Sequence, residues 1–235
     1  MKIVHLPYTL DPNNRQHDYE NLWKQVALKL LTQRAGNVSG WTLLDYGCGR
    51  GETMAMASAL GMKCTGVDTD PQCVRLAKSH GTAGILDPLH PGLILKPKAY
   101  DVVACFHVLE HVDNPKAVLS LLAASARRYC LVAVPNLARF PNLGRLWREP
   151  DYVNSGHLQS WDHAHFRTLA ELHCGLKVVA WGYDALIVSP LDRLLLLFLG
   201  QATGNRILKF LETRIFNRLL PYACTSVIAL MEPSE

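Results

Sequence analysis

One stretch constrains this chain more than any other: Leu43-Leu44-Asp45-Tyr46-Gly47-Cys48-Gly49-Arg50-Gly51, where a short apolar run meets three alternating glycines. The apolar run reads as a strand. Glycine at alternate positions gives the backbone conformations closed to other residues and lets a ligand approach closely. Glu52 to Leu60, rich in Ala and Met, reads as a helix whose first N–H groups face the same turn. Strand, glycine turn and helix together form a cradle for a cofactor. The spacing G-x-G-x-G departs from the G-x-G-x-x-G of dinucleotide-binding folds and so favours a ligand without a pyrophosphate.

The alternation continues along the chain. Strands are expected from Trp41 to Tyr46, Lys63 to Asp68, Thr82 to Asp87, Tyr100 to Phe106 and Tyr129 to Val134, with helices between them. Pro71 to His80 opens with proline, which a first helical turn tolerates, and Asn114-Pro115 starts another helix to about Ala126. Short strands alternating with helices indicate an α/β fold with a doubly wound, mostly parallel sheet, whose ligands sit beyond the carboxyl ends of the strands. Later expectations are a helix from His163 to Cys174, a sixth strand from Lys177 to Trp181 and a last strand from Thr225 to Met231. An N-terminal helix from about Asp18 to Gln33 would present Tyr19, Leu22, Trp23, Val26 and Leu30 on one face.

The 235 residues are read as a single domain with three appendages: an N-terminal arm and helix (1–40), a lid-like segment (136–162) and a helical insert (186–220) before the last strand. The irregular stretch from 136 to 162 carries Phe140, Trp147 and Tyr152, and a long segment of this kind inside a compact domain is often functional. A net charge of +4 without a long basic tract argues against nucleic acid as a partner. Seven cysteines without a C-x-x-C pair suit a reducing, cytoplasmic compartment. Pro7 and Asp11 interrupt the N-terminus before an apolar signal region forms, and Leu194 to Gly200 is far shorter than the ~20 residues of a bilayer span.

Three acidic strand ends surround the glycine turn in this reading. Asp68, with Thr69 beside it, projects a carboxylate that can accept both hydroxyls of a ribose, whereas Asp70, just before Pro71, is the better helix cap. Asp87 either accepts an exocyclic amine held against Leu86 or opens the Asp87-Pro88 turn. The fourth strand runs into Cys105-Phe106-His107-Val108-Leu109-Glu110-His111. HVLEH matches the inverted zinc-protease pattern, but that pattern needs a continuous helix; here the first histidine ends a strand and a clear third ligand is missing, so no metal is expected.

Taken together, LLDYGCGRG, GVDTDP and YDVVACFHVLEHVDNP resemble the class I S-adenosylmethionine-dependent methyltransferases, in particular the small-molecule group like those of quinone biosynthesis. The resemblance covers residues 41 to 135 closely. It implies a seven-stranded sheet with the last strand antiparallel and S-adenosyl-L-methionine as cofactor. It also implies that Asp45, Gly47 and Gly49 border the methionine moiety, that Asp68 binds the ribose and Asp87 the adenine amine, and that the segment Cys105, Phe106 and His107 passes beneath the sulfonium. Tyr46 stands where the family often has an aliphatic residue.

The function expected is methylation of O, N or C of a small, apolar molecule. Displacement at a sulfonium draws mainly on orientation, and a base is needed only where the acceptor loses a proton. His157 in the lid-like segment and His107 at the fourth strand end are the candidate bases. In the insert, Arg206, Lys209, Arg214 and Arg218 are interleaved with Ile207, Leu208, Phe210, Leu211, Ile215 and Phe216. That pattern fits a helical pair closing the pocket or a homodimer contact, and it also fits a peripheral surface resting on anionic lipid. Two other functions remain open on residues alone: a methyltransferase-like domain that binds a metabolite or partner without catalysis, and an NAD(P)-dependent oxidoreductase.

Overall fold

A computed structural model of the chain describes residues 21–87, 90, 95–138, 156–187 and 196–234. Seven strands form one sheet: β1 Thr42–Tyr46, β2 Lys63–Asp68, β3 Thr82–Ile85, β4 Tyr100–Phe106, β5 Ala126–Pro135, β6 Leu176–Gly182 and β7 Ser226–Pro233. Their order across the sheet is β3-β2-β1-β4-β5-β7-β6. β1 to β5 are parallel, and β7 runs antiparallel to both of its neighbours. This is the doubly wound sheet that the alternating pattern and the resemblance implied.

Period-two burial explains how the sheet is covered. Leu44, Val103 and Cys105 enter one apolar cluster with Leu119, Leu122 and Phe166, while Leu43, Val102, Ala104 and Phe106 enter the other with Leu28, Leu31 and Met54. Neighbouring strand residues point to opposite faces, so each apolar run needs helices on both sides. The helices are α1 Leu22–Ala35 and α2 Glu52–Ala59 on the second face, and α4 Pro115–Ser125 and α5 His163–Thr168 on the first. α3 Pro71–Ala77 follows β2. Asp70 caps it, its Oδ1 accepting from Gln72 N at 2.7 Å. Asn114 and Asp162 cap α4 and α5 in the same way.

Several elements differ from expectation. β5 begins at Ala126 because Arg127 joins a polar knot at the amino edge of the sheet, which the charged pair Arg127-Arg128 concealed in the sequence. β3 stops at Ile85, leaving Asp87 two residues beyond the ladder. In α1 the fully covered residues are Ala27, Leu28 and Leu31, with Trp23, Val26 and Leu30 packed at the margin of the core. Among the described residues of the insert the break falls at Gly200, and Gly204 lies buried inside α6 (Gln201–Phe210), which a π turn (Leu211–Phe216) and a last helical turn (Asn217–Leu219) continue.

The arm before residue 21, including Tyr19, lies outside the described residues, as do Phe140, Trp147 and Tyr152 of the lid-like segment and Leu194 of the insert. No helix among the described residues is long and apolar enough to cross a membrane.

Candidate active site

In a doubly wound sheet the ligand crevice opens where successive connections leave in opposite directions. Here β1 leads outward to β2, and β4 pairs on its other side, with Tyr46 opposite Val67 and opposite Cys105. The glycine turn and the residues after β4 therefore share one crevice. Gly47 holds φ +78°, and a Cβ there would run into the Val108 side chain. Glycine at this position is what lets the two loops close on each other.

The turn is tied to β2 through Asp68. Its Oδ2 accepts from Gly49 N at 2.8 Å and its Oδ1 from Asp70 N at 2.9 Å. Each oxygen retains a lone pair for a hydroxyl. Asp45 is different: it is buried, and its Oδ2 has no hydrogen-bond partner among the described residues. Burial pushes its carboxyl up to about 7, only partly countered by the Lys24 ammonium and the Thr53 hydroxyl. Lys24 itself pairs with Glu52 Oε2 at 3.3 Å.

After β4 the chain turns sharply. His107 holds φ +54°, a conformation that costs a non-glycine residue and tends to persist at functional sites. Its backbone N donates to Ala133 O at 2.8 Å, which anchors the turn to β5. The ring Nδ1 lies 3.1 Å from Glu110 Oε1, and Nε2 has no partner among the described residues. Trp23 of α1 meets the ring edge-on, with centroids 4.8 Å apart. Glu110 is 0% exposed, and its Oε2 also lacks a partner among the described residues. A buried carboxylate at Nδ1 fixes the imidazole tautomer and leaves Nε2 as the basic nitrogen.

His157 reaches the same carboxylate from the lid-like segment. Its ring packs edge-on against His111 at 4.9 Å, His111 Nδ1 donates to Gly156 O at 2.9 Å, and Leu158 N donates to Glu110 O at 2.7 Å. Glu110, His111 and His157 each offer a ligand atom within 4.8 Å of the others, the one such convergence among the described residues. Two imidazoles and a carboxylate form a donor set that suits a borderline divalent cation. His107, the first histidine of HVLEH, is not one of the three; Glu110 and His111 are joined instead by His157, 46 residues beyond His111. Leu109–His111 is a single 3-10 turn, so the pattern does not lie on a continuous α-helix.

The remaining sequence-derived residues divide. Asp45, Gly47, Gly49, Asp68, His107 and His157 gather at the carboxyl edge of the sheet. Thr69 follows Asp68 at the same edge. Cys105 and Phe106 are buried, one in each apolar cluster, so only their backbone can face the crevice. Asp87 is exposed and lies 2.8 Å from His90 Nδ1, and Leu86 is buried in the core rather than open to a ligand. The sequence reading missed Trp23, whose indole nitrogen was the only sign against a purely apolar role. It also gave Glu110 no task, although its place in HVLEH was a signal.

A family model described as a methyltransferase domain matches residues 15–180. The chain therefore belongs to that family, the S-adenosylmethionine-dependent class whose motifs it resembles. A ubiquinone biosynthesis O-methyltransferase of Bordetella pertussis is 36% identical over 125 residues, covering 49% of this chain and 51% of that protein. The mitochondrial enzyme of the same name from Schizosaccharomyces pombe is 36% identical over 91 residues, 34% of this chain and 32% of that one. The chain thus spans about half the length, or less, of these curated relatives. Among solved structures, magnesium protoporphyrin IX methyltransferase from Synechocystis with bound S-adenosylhomocysteine superposes with a TM-score of 0.61 at 18% identity, covering 94% of this chain and 88% of that one. An S-adenosylmethionine-dependent methyltransferase from Archaeoglobus fulgidus gives 0.59 at 18%, covering 92% and 97%. These structures share the fold.

Proposed function

We propose that this chain transfers a methyl group from S-adenosylmethionine to a hydroxyl oxygen of a small, apolar molecule, with His107 as the base. The observation that carries the reading is the His107–Glu110 pair, 3.1 Å apart in the segment whose Val108 packs against Gly47 of the glycine turn. The residues present fit the cofactor. Asp45 Oδ2 is a buried acceptor without a partner among the described residues and is suited to an ammonium, Asp68 retains acceptor capacity for a ribose, and Gly47 leaves no side chain between turn and ligand. When bound, S-adenosylmethionine supplies an electrophilic methyl on a leaving group that is already activated.

This chain's own contribution is orientation and the removal of one proton. Glu110 would hold His107 with Nδ1 protonated, so that Nε2 could take the acceptor's hydroxyl proton. His157, packed edge-on against His111 beside Glu110, would tie the described end of the lid-like segment to this pair. The O-methyltransferase names of the relatives support oxygen as the acceptor atom. All seven cysteines are free, which supports a reducing, cytoplasmic location.

The test is methyl transfer from labelled S-adenosylmethionine to a panel of apolar phenols. His107→Asn is expected to lower kcat by about 10²- to 10⁴-fold while S-adenosylhomocysteine binds within a few-fold of the parent affinity. Unchanged turnover in that variant would remove the base role. Failure of the parent protein to bind S-adenosylhomocysteine at all would remove the whole reading.

A further inference from the structure

We propose that the helical insert before β7 is a docking face for an anionic bilayer surface. The insert lies on the body of the protein by one stripe: Gly204, Leu208 and Glu212 recur every four residues and are buried. It is pinned there by Leu186 N donating to Glu212 O at 3.1 Å and Asn217 Nδ2 donating to Asp184 O at 3.2 Å. On the opposite side Arg206, Phe210, Arg214 and Arg218 recur at the same interval, and all four are exposed. The π turn, with its wider i→i+5 bonding, keeps this interval in line past Phe210.

Exposed apolar residues also precede and follow the stripe along the chain. Leu197 and Phe198 in the helical turn at 196–199 are 78% and 80% exposed, and Leu219 and Tyr222 are exposed beyond α6. Single apolar residues on a surface are ordinary, whereas a contiguous set marks an interaction site. The charge on this face has one sign. Glu212 is the one acidic residue between 196 and 225, and it is buried, so the exposed charges are Arg206, Lys209, Arg214 and Arg218.

Aromatic and leucine side chains that enter the headgroup layer, with guanidinium groups reaching lipid phosphates, match this composition. A second copy of the chain would set cations against cations in a two-fold contact, which like-charge repulsion disfavours. Position adds a reason. The insert leads directly into Ser226, which pairs with Pro135 at the carboxyl end of β5, so the face lies at the same edge of the sheet as His107 and the glycine turn. On the methyltransferase reading, an apolar acceptor could pass from the bilayer into the crevice; the docking itself does not depend on that reading.

The experiment is co-sedimentation of the full chain with vesicles of phosphatidylcholine alone or mixed with phosphatidylglycerol, at low and high salt. Binding is expected to the mixed vesicles, to fall steeply with salt, and to be weak on phosphatidylcholine. Combined Arg206→Gln, Arg214→Gln and Arg218→Gln should weaken it on the order of a hundredfold, taking roughly fivefold per cation, and Phe198→Ser with Phe210→Ser should weaken it at low salt. Both variants should keep the parent circular dichroism and the parent turnover on a soluble phenol. Three results would each overturn the proposal: no binding to mixed vesicles, equal and salt-insensitive binding to both kinds, or a lipid-free dimer that Phe210→Ser dissociates. A lack of methyl transfer beside intact vesicle binding would count against the catalytic reading alone.

Discussion

Asp101 and Asp45 stand at opposite edges of the same sheet, and the fold surrounds them in opposite ways. At the amino edge, Asp101 Oδ2 accepts from Thr42 N and Thr42 Oγ1, each at 2.9 Å, and from Arg127 Nη2 at 3.1 Å, while Oδ1 accepts from Arg127 Nε at 3.1 Å. Arg127 also donates to the carbonyls of Lys98 and Ala99. The hydrogen bonds from Arg127 hold the Asp101 carboxyl well below the usual range, despite partial burial. At the carboxyl edge Asp45 is buried with an unpartnered oxygen and a carboxyl raised to about 7. One edge has spent its polar groups on structure. The other keeps Asp45, His107, Glu110 and Trp23 with atoms that have no partner among the described residues, as a site awaiting a polar ligand would.

The largest expected effect lies at the unsatisfied edge. Because the folded state disfavours the Asp45 carboxylate, its cost is absent below about pH 4, grows as pH rises toward 7 and is complete above that. Asp45→Asn should therefore stabilise the ligand-free protein at pH 8, by something on the order of 2–4 kcal/mol, and have little effect near pH 4. The same change should weaken S-adenosylmethionine binding by about tenfold or more, because a neutral amide replaces the partner of an ammonium. Calorimetry in buffers of different ionisation enthalpy should show proton release on binding near pH 7 for the parent and none for the variant. A variant that loses both affinity and apo stability would erase the contrast between the two edges.

A smaller effect is expected at the satisfied edge. Arg127→Ala should lower the thermal midpoint by a few degrees at pH 7 and leave kcat and cofactor affinity unchanged. The pair stabilises above the unfolded carboxyl value of 3.8 and is lost as pH falls through the depressed folded value, so parent and variant should converge in acid. A change in turnover there would couple the edges.

The smallest effect tests a third buried group. His163 is packed edge-on against Trp181 and Tyr222, neither ring nitrogen has a partner among the described residues, and burial lowers it from 6.5 to about 4. His163→Phe should change stability by no more than about 1 kcal/mol at pH 7. Below pH 6.5 the unfolded chain takes up a proton that the folded one refuses, so the variant should be the more stable protein at pH 5. Denaturant midpoints at the two values would decide it; a large loss at pH 7 would mean that His163 has a polar partner beyond those described here.

Much of this arrangement was legible in the residues. The Leu43–Leu44 alternation, the two exact strands Lys63–Asp68 and Tyr100–Phe106, the proline and asparagine caps and the glycine turn are local signals, because burial on a sheet follows period two and caps act within three residues. Asp70 as cap rather than ligand was legible for the same reason. The end of β3 was not legible: Asp87 lies two residues beyond the strand and beside His90. The extra turn of β5 was hidden because its stabilising partner, Asp101, is 26 residues distant from Arg127.

The sequence by itself determined the fold class, the family and the crevice's glycine and acidic rim, since each depends on short-range spacing along one chain segment. Only the tertiary structure decided that Glu110 would be buried, that His107 and His157 would meet on it from separate segments, and that Trp23 would close one side. Those contacts require β4, the lid-like segment and α1 to pack together before any of them exists. No local pattern encodes the burial of a charge, because burial is a property of what the rest of the chain brings to it.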